Sequence, residues 1–247
     1  MTAPVFLAEL AGVAAAQDLT VTGGEAHHAY VMRLTAGDAV DLVDGAGLRA
    51  RCTVTHSERD AVAVRVKELV REQDACRLVL VQALAKAGRD EAAVETATEV
   101  GVDAVYPWQA NRAIVKWSGT KTAKAVAKWQ DTARAAMKQS RRARLPHVAQ
   151  PVDSRALAAL VGAAVQEGAQ VFVLHEEAHA TLPTELGAPP QAWVVVGPEG
   201  GIAPEELQAL RAAGATAVRL GPYVMRSSTA GPVALSHLAR ALGRWNA

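Results

Sequence analysis

From Arg77 onward the chain alternates short apolar runs with helical stretches, and this alternation constrains the fold more tightly than any other feature. The apolar strand candidates are Leu78–Ala83, Ala104–Pro107, Val171–Leu174, Trp193–Val196 and Ala217–Leu220. Helical patterns intervene near 90–100, 120–142, 153–167, 204–213 and 229–244. Short, largely apolar runs suit strands buried on both faces, so the pattern predicts an α/β domain with a parallel sheet covered by helices. In the longest helix Val126, Trp129, Ala133, Ala136 and Met137 form one apolar stripe, the spacing a core-packed helix needs.

The first 73 residues follow a different rule. Ala39–Val43 alternates and ends at Asp44-Gly45, a turn dipeptide. Leu48–Thr55 and Ala61–Val70 also alternate, and the polar tetrapeptide Ser57–Asp60 between them predicts a β-hairpin. A short helix near Glu25–Leu34 precedes these strands. The expectation is a small β-barrel domain over 1–73, a linker at Glu72-Gln73-Asp74, and the α/β domain over 74–247. The opening residues look like a signal peptide, but they have no basic start and Glu9 interrupts the apolar run. No stretch approaches the length of a membrane span, which points to a cytoplasmic protein with no membrane partner. Cys52 and Cys76 lack metal-ligand spacing and read as reduced thiols.

A net charge of +1 conceals a strong asymmetry. Between Asn111 and Arg144 ten basic residues face only Asp131, which leaves the remainder of the chain at −8. Such a segment predicts a polyanion partner, and nucleic acid is the natural one. Contacts to phosphate are expected from Arg33, Arg112, Lys121, Lys124, Lys128, Lys138, Arg141, Arg142 and Arg144. Trp117 lies within the segment and reads either as a core residue or as a stacking platform for a base.

In parallel sheets ligands bind beyond the carboxyl ends of the strands. One such end reads WVVVGPEGGIAPEEL: a buried strand, then Gly197-Pro198-Glu199-Gly200-Gly201, then a helix opened by Pro204. This is neither a dinucleotide fingerprint nor a phosphate-binding loop. A phosphate here would meet Glu199, Glu205 and Glu206, so the loop suits a neutral or cationic ligand held through backbone groups. A second end reads LGPYVMRSSTAGP, with Arg226 ahead of a helix whose first turn is expected to hold Pro232. A third contains His175-Glu176-Glu177-Ala178-His179, a literal zinc-protease pattern. That pattern needs both histidines on one continuing helix. Here a strand-like run precedes it and Pro183 follows, so the expectation is a loop and no metal.

GPEGG followed by LGPYVMRSSTAG resembles the RsmE-type small-subunit rRNA methyltransferases of the SPOUT superfamily, and the resemblance extends over nearly the whole chain. Its further parts are His27-His28-Ala29-Tyr30-Val31-Met32-Arg33, Glu99-Val100-Gly101-Val102, Arg112, and the element from Gln139 to Pro146. The resemblance implies an N-terminal PUA-like β-barrel and a C-terminal SPOUT domain with a mostly parallel sheet and a trefoil knot. It implies a homodimer acting on 16S rRNA or the small ribosomal subunit. The implied cofactor is S-adenosylmethionine, bordered by Leu174, His175 and Glu176, by Gly197, Pro198, Glu199, Gly200 and Gly201, and by Leu220, Gly221, Val224 and Met225. The implied product is N3-methyluridine at position 1498 in conventional rRNA numbering. Uracil N3 must lose a proton to become nucleophilic, and Arg226 is the candidate catalytic residue for stabilising the resulting anion. Water, Glu199 or a partner-chain group are the alternatives for the proton acceptor. Where the family often has Arg-Thr-Glu-Thr-Ala, this chain has Arg226-Ser227-Ser228-Thr229-Ala230, so no role of that glutamate carries over to Ser228.

Overall fold

A computed structural model of the chain describes residues 3–73 and 76–245. It divides into two units, Met1–Asp74 with Met137–Leu145, and Ala75–Ala136 with Pro146–Ala247. Asp74, the end of the expected linker, lies outside the described residues.

The first unit contains β1 (Val5–Leu7), β2 (Asp18–Thr22), α1 (Gly24–Val31), β3 (Ala39–Val43), β4 (Leu48–Ser57) and β5 (Ala61–Arg71). The alternation in β4 and β5 has the predicted effect, because Cys52, Val54, Val62, Val64 and Val66 are buried while their neighbours point outward. The five strands run in the order β1-β3-β4-β5-β2. Its end strands β1 and β2 do not pair among the described residues, so the expected barrel is a half-barrel. Two strands escaped the sequence reading. β1 lies inside the signal-like opening and pairs in parallel with β3, and β2 closes the far edge against β5. Helix α1 also ends three residues earlier than expected, at Val31. Met137 and Ala143 complete the unit by packing with Val5 and Val43.

The second unit contains β6 (Arg77–Ala83), α2 (Arg89–Val100), β7 (Ala104–Gln109), α3 (Thr120–Gln139, its last residues belonging to the first unit), β8 (His147–Val148), β9 (Val152–Asp153), α4 (Ser154–Gln166), β10 (Gln170–Leu174), β11 (Gln191–Val196), α5 (Pro204–Ala212), β12 (Thr216–Val218) and α6 (Ser227–Ala241). All its strand pairs are parallel, in the order β12-β10-β11-β6-β7-β8, with β9 also on β7. One sheet face, carrying Val79, Val81 and Ala83, packs with Leu157 and Val161 of α4 and Leu207 and Leu210 of α5. The other face meets α6 closely. A Cβ added at Gly231 would lie 2.9 Å from Leu80 Cδ1 and 3.3 Å from Val196 Cγ2, so only glycine lets this helix approach the strands. β8 and β9 are too short to leave a sequence signature. β12 stops at Val218, two residues before its expected end. No helix among the described residues is long and apolar enough to cross a membrane.

Candidate active site

With every strand parallel, the loops after β12, β10, β11, β6 and β7 leave one edge of the sheet. The loop after β10 contains the zinc-protease pattern, and it is a turn rather than a helix. Ala178 N–H donates to His175 O at 3.2 Å, and Glu177 N–H donates to His175 Nδ1 at 3.3 Å. The same loop is tied to the end of β12: His175 N–H donates to Val218 O at 3.0 Å and Arg219 N–H to Ala180 O at 2.8 Å. The two outer loops therefore form one backbone-linked wall.

The loop after β11 needs its glycines for space. A Cβ at Gly197 would sit 2.6 Å from Ile202 Cγ1, and one at Gly200 would sit 3.2 Å from the carbonyl oxygen of Arg112. Gly201 adopts φ +75°, closing a turn in which its N–H donates to Pro198 O at 2.9 Å. The Arg112 guanidinium donates to Gly200 O at 3.3 Å, and Arg89 at the start of α2 pairs with Glu199 at 3.2 Å. The loop is thus backed by residues from the ends of β7 and β6.

The expectation of three carboxylates facing a ligand is corrected by Glu206. Its side chain is buried and turned into the protein, accepting from Ala203 N–H at 2.9 Å, from Asn111 N–H at 2.7 Å and from the Ser154 hydroxyl. Trp108 Nε1–H donates to that same hydroxyl at 3.1 Å, so one carboxylate fastens four segments together. Glu205 bonds the Asn111 side chain at 3.2 Å. Glu199 is the one carboxylate on the loop itself, and Arg89 pairs with it.

Beyond β12, Tyr223 and Val224 are exposed at 83% and 78%, which is unusual for such residues outside an interface. Arg226 is the residue before α6 and accepts from Ala230 N–H at 2.9 Å through its carbonyl, while its side chain is exposed. Helix α6 begins at Ser227, which places Pro232 inside the helix and not in its first turn as expected.

The basic residues are less uniform than their clustering suggested. Lys121 and Lys124 are exposed on α3. Lys128 pairs with Glu91 at 2.5 Å, and Lys138 is clamped by both oxygens of Glu25 at 2.8 Å. Arg144 donates to Glu72 O at 3.1 Å. Arg33 and Arg141 adopt positive φ, 59° and 60°, and both are exposed, whereas Arg142 is half-buried. Trp117 is half-buried and meets Trp129 edge-on at 5.2 Å, so neither expectation describes it fully.

Two family models match the chain. An RNA methyltransferase domain covers residues 72–239 and an RNA methyltransferase PUA domain covers 21–67. The ribosomal RNA small subunit methyltransferase E of Mycobacterium bovis is 43% identical over 234 residues, 92% of this chain and 88% of that protein. The chain belongs to the ribosomal RNA small subunit methyltransferase E family. The member from Bacillus subtilis is 28% identical over 91% of this chain and 90% of its own length. Among solved structures, a small subunit methyltransferase E of Neisseria gonorrhoeae bound to S-adenosylmethionine superposes with TM-score 0.84 at 22% identity, covering 96% of this chain and 97% of that one. A Legionella pneumophila protein in complex with bound S-adenosylmethionine gives TM-score 0.81 at 25% identity, with 98% of both chains covered.

Sequence reasoning overlooked the loop after β6. Ala87 and Gly88 take successive left-handed conformations, φ 57° and 72°, leaving Lys86 exposed. Asp90 is buried behind this loop and accepts from Ala85 N–H at 3.3 Å; its burial raises the carboxyl pKa. Gly88, between the end of β6 at Ala83 and the start of α2, was the available signal, but it lacks the Gly-Pro punctuation of the other two ends.

Proposed function

We propose that this chain transfers the methyl group of S-adenosylmethionine to N3 of one uridine in the 16S rRNA of the small ribosomal subunit. The observation that carries this reading is the convergence of Leu174–Glu176, Gly197–Gly201 and Arg219–Arg226 at one edge of a parallel sheet, in a member of this methyltransferase family. Bound there, S-adenosylmethionine supplies an electrophilic methyl group on a cationic sulfur. The site's chemistry fits that charge: the β11 loop offers backbone groups and the single carboxylate of Glu199, with Glu206 withdrawn into the core.

The chain's own residues then have three tasks. The glycines of 197–201 let the loop pack closely on Ile202 and Arg112, which fixes the main chain that would position the ligand. An uracil presented unpaired would offer N3 to the methyl group, and Arg226 would stabilise the negative charge left on the ring once water, Glu199 or a partner-chain group has taken the N3 proton. The exposed cations of α3, Lys121 and Lys124, bind phosphates and supply affinity more than sequence choice. Exposed Tyr223, Val224 and Met225 support a homodimer that covers them, acting in the cytoplasm.

The test is transfer of labelled methyl from S-adenosylmethionine to 16S rRNA and to small subunits, with the modified nucleotide mapped. One N3-methyluridine is expected. Arg226→Ala should lower turnover at least a hundredfold, the scale of losing one charge-stabilising donor, while RNA affinity is spared. RNA binding without any methyl transfer would sink the enzymatic reading.

A further inference from the structure

The carboxyl edge of the sheet sorts charge. After β10 and β11 come Glu176, Glu177 and Glu199, and Arg219 and Arg226 follow β12. After β6 and β7 come Lys86, Arg112 and Lys116, with no carboxylate in either loop, and Arg89 opens α2 ahead of Asp90, which is buried, and Glu91, which pairs with Lys128. Since β11 and β6 are adjacent strands, the change of sign falls between them, where Arg89 and Glu199 pair at 3.2 Å. We infer that the loops after β6 and β7 form a second site on this edge, which grips backbone phosphates of the RNA strand carrying the target base through Lys86 and Arg89, with Arg112 beside them.

Three observations favour phosphate over a purely structural role. Lys86 is exposed on its turn and makes no ion pair among the described residues, so its charge is not spent on the fold there. Arg89 and Glu199 are both partly solvent-exposed, with side chains 42% and 30% accessible, so a phosphate can take over the guanidinium with little loss. Arg112 bonds the β11 loop through one nitrogen, Nη1, and a guanidinium has further donors in a fork that suits phosphate. A basic flank next to a site for a cationic methyl donor also makes electrostatic sense. The donor occupies the acidic side and the polyanion the basic side, so the two ligands do not compete for one field.

This inference rests on the methyltransferase reading for its RNA but is tested without catalysis. Binding of an unmodified 16S rRNA transcript is measured against salt concentration for wild type, Lys86→Gln/Arg89→Gln, Glu199→Gln, and the control Arg211→Gln at the end of α5. Two lost phosphate contacts should flatten the log–log salt slope by roughly 1.4, at about 0.7 per contact to single-stranded RNA. Affinity of the double variant should fall about tenfold, with S-adenosylmethionine affinity by calorimetry unchanged. Glu199→Gln frees Arg89 and should raise RNA affinity about twofold; a residue serving only the fold would not do this. Arg211→Gln should match wild type. An unchanged slope and affinity in the double variant would overturn the inference. So would a loss confined to S-adenosylmethionine binding, which would assign both residues to the donor loop. A wild type that binds RNA yet transfers no methyl group would sink the catalytic reading and leave this one to be judged by its salt slope.

Discussion

Glu206→Ala is the substitution whose consequence can be worked through most fully. The carboxylate is 3% exposed and takes hydrogen bonds from Ala203 N–H, Asn111 N–H and the Ser154 hydroxyl. Hydrogen bonds to a charged acceptor contribute about 1.5–3 kcal/mol each, but three bonds to one group are not additive. Truncation removes the burial cost of the carboxylate but leaves two backbone N–H groups and a hydroxyl without their acceptor, at about 1–3 kcal/mol for each donor left unsatisfied, so a net loss of roughly 3–5 kcal/mol is expected. For a chain of this size that corresponds to a fall in Tm of roughly 6–20 °C. Glu206→Gln keeps one acceptor but turns an amide N–H toward a backbone N–H, and should cost about 1–3 kcal/mol. Urea denaturation followed by tryptophan fluorescence is the appropriate assay, because Trp108 donates to Ser154 within the same network. An alanine variant within ~1 kcal/mol of wild type would refute the claim that this carboxylate fastens the loops of β7 and β11 together.

Other substitutions test single contacts. Gly197→Ala places a methyl where only 2.6 Å separates it from Ile202, and should weaken S-adenosylmethionine binding at least tenfold by calorimetry; unchanged affinity would remove this loop from the donor site. Gly214→Ala combines φ +99° with a 2.8 Å approach to Val165 Cγ1, and denaturation should show a loss of about 1–3 kcal/mol. Burial pushes the Cys52 thiol from 9.0 up to about 11, so iodoacetamide at pH 8 should label it only after unfolding. Because the folded pKa lies above the unfolded one, the associated stability is complete below pH 9.0 and is lost as pH rises toward about 11, which denaturation midpoints across that window would reveal.

Much of the fold was legible because its signals are local. The β4–β5 hairpin largely alternates, and β6, β10 and β11 are mainly apolar, with Arg77, Gln170 and Gln191 at their starts and Gln82 inside β6, as suits strands covered on both faces. The elements that escaped have no local signal. β1 is three residues long and acquires its identity only from its partner β3, while β8 and β9 are defined by lying beside β7. Pro232 misled for a related reason. Proline marks a helix start by default, yet α6 accommodates one within its length after starting at Ser227.

The site was legible in its backbone and less so in its charges. Glycines at 197, 200 and 201 announce close approach wherever they occur, and the structure places an obstructing atom at each of the first two positions. A charge, by contrast, acts according to its neighbours, and those come from anywhere in the sequence. Glu206 reads as part of an acidic helix start until Asn111 and Ser154 are found against it. Lys128 and Lys138 read as unpaired cations in the sequence, but Glu91 and Glu25 lie against them. Among the described residues, ion pairing leaves Lys121 and Lys124 open on the helix, and it leaves Lys86, which lies outside the basic segment. The polyanion argument therefore survives with a different emphasis. Pairing decides which cations stand open among the described residues, and by that measure Lys86 in the loop after β6 joins Lys121 and Lys124 of the helix.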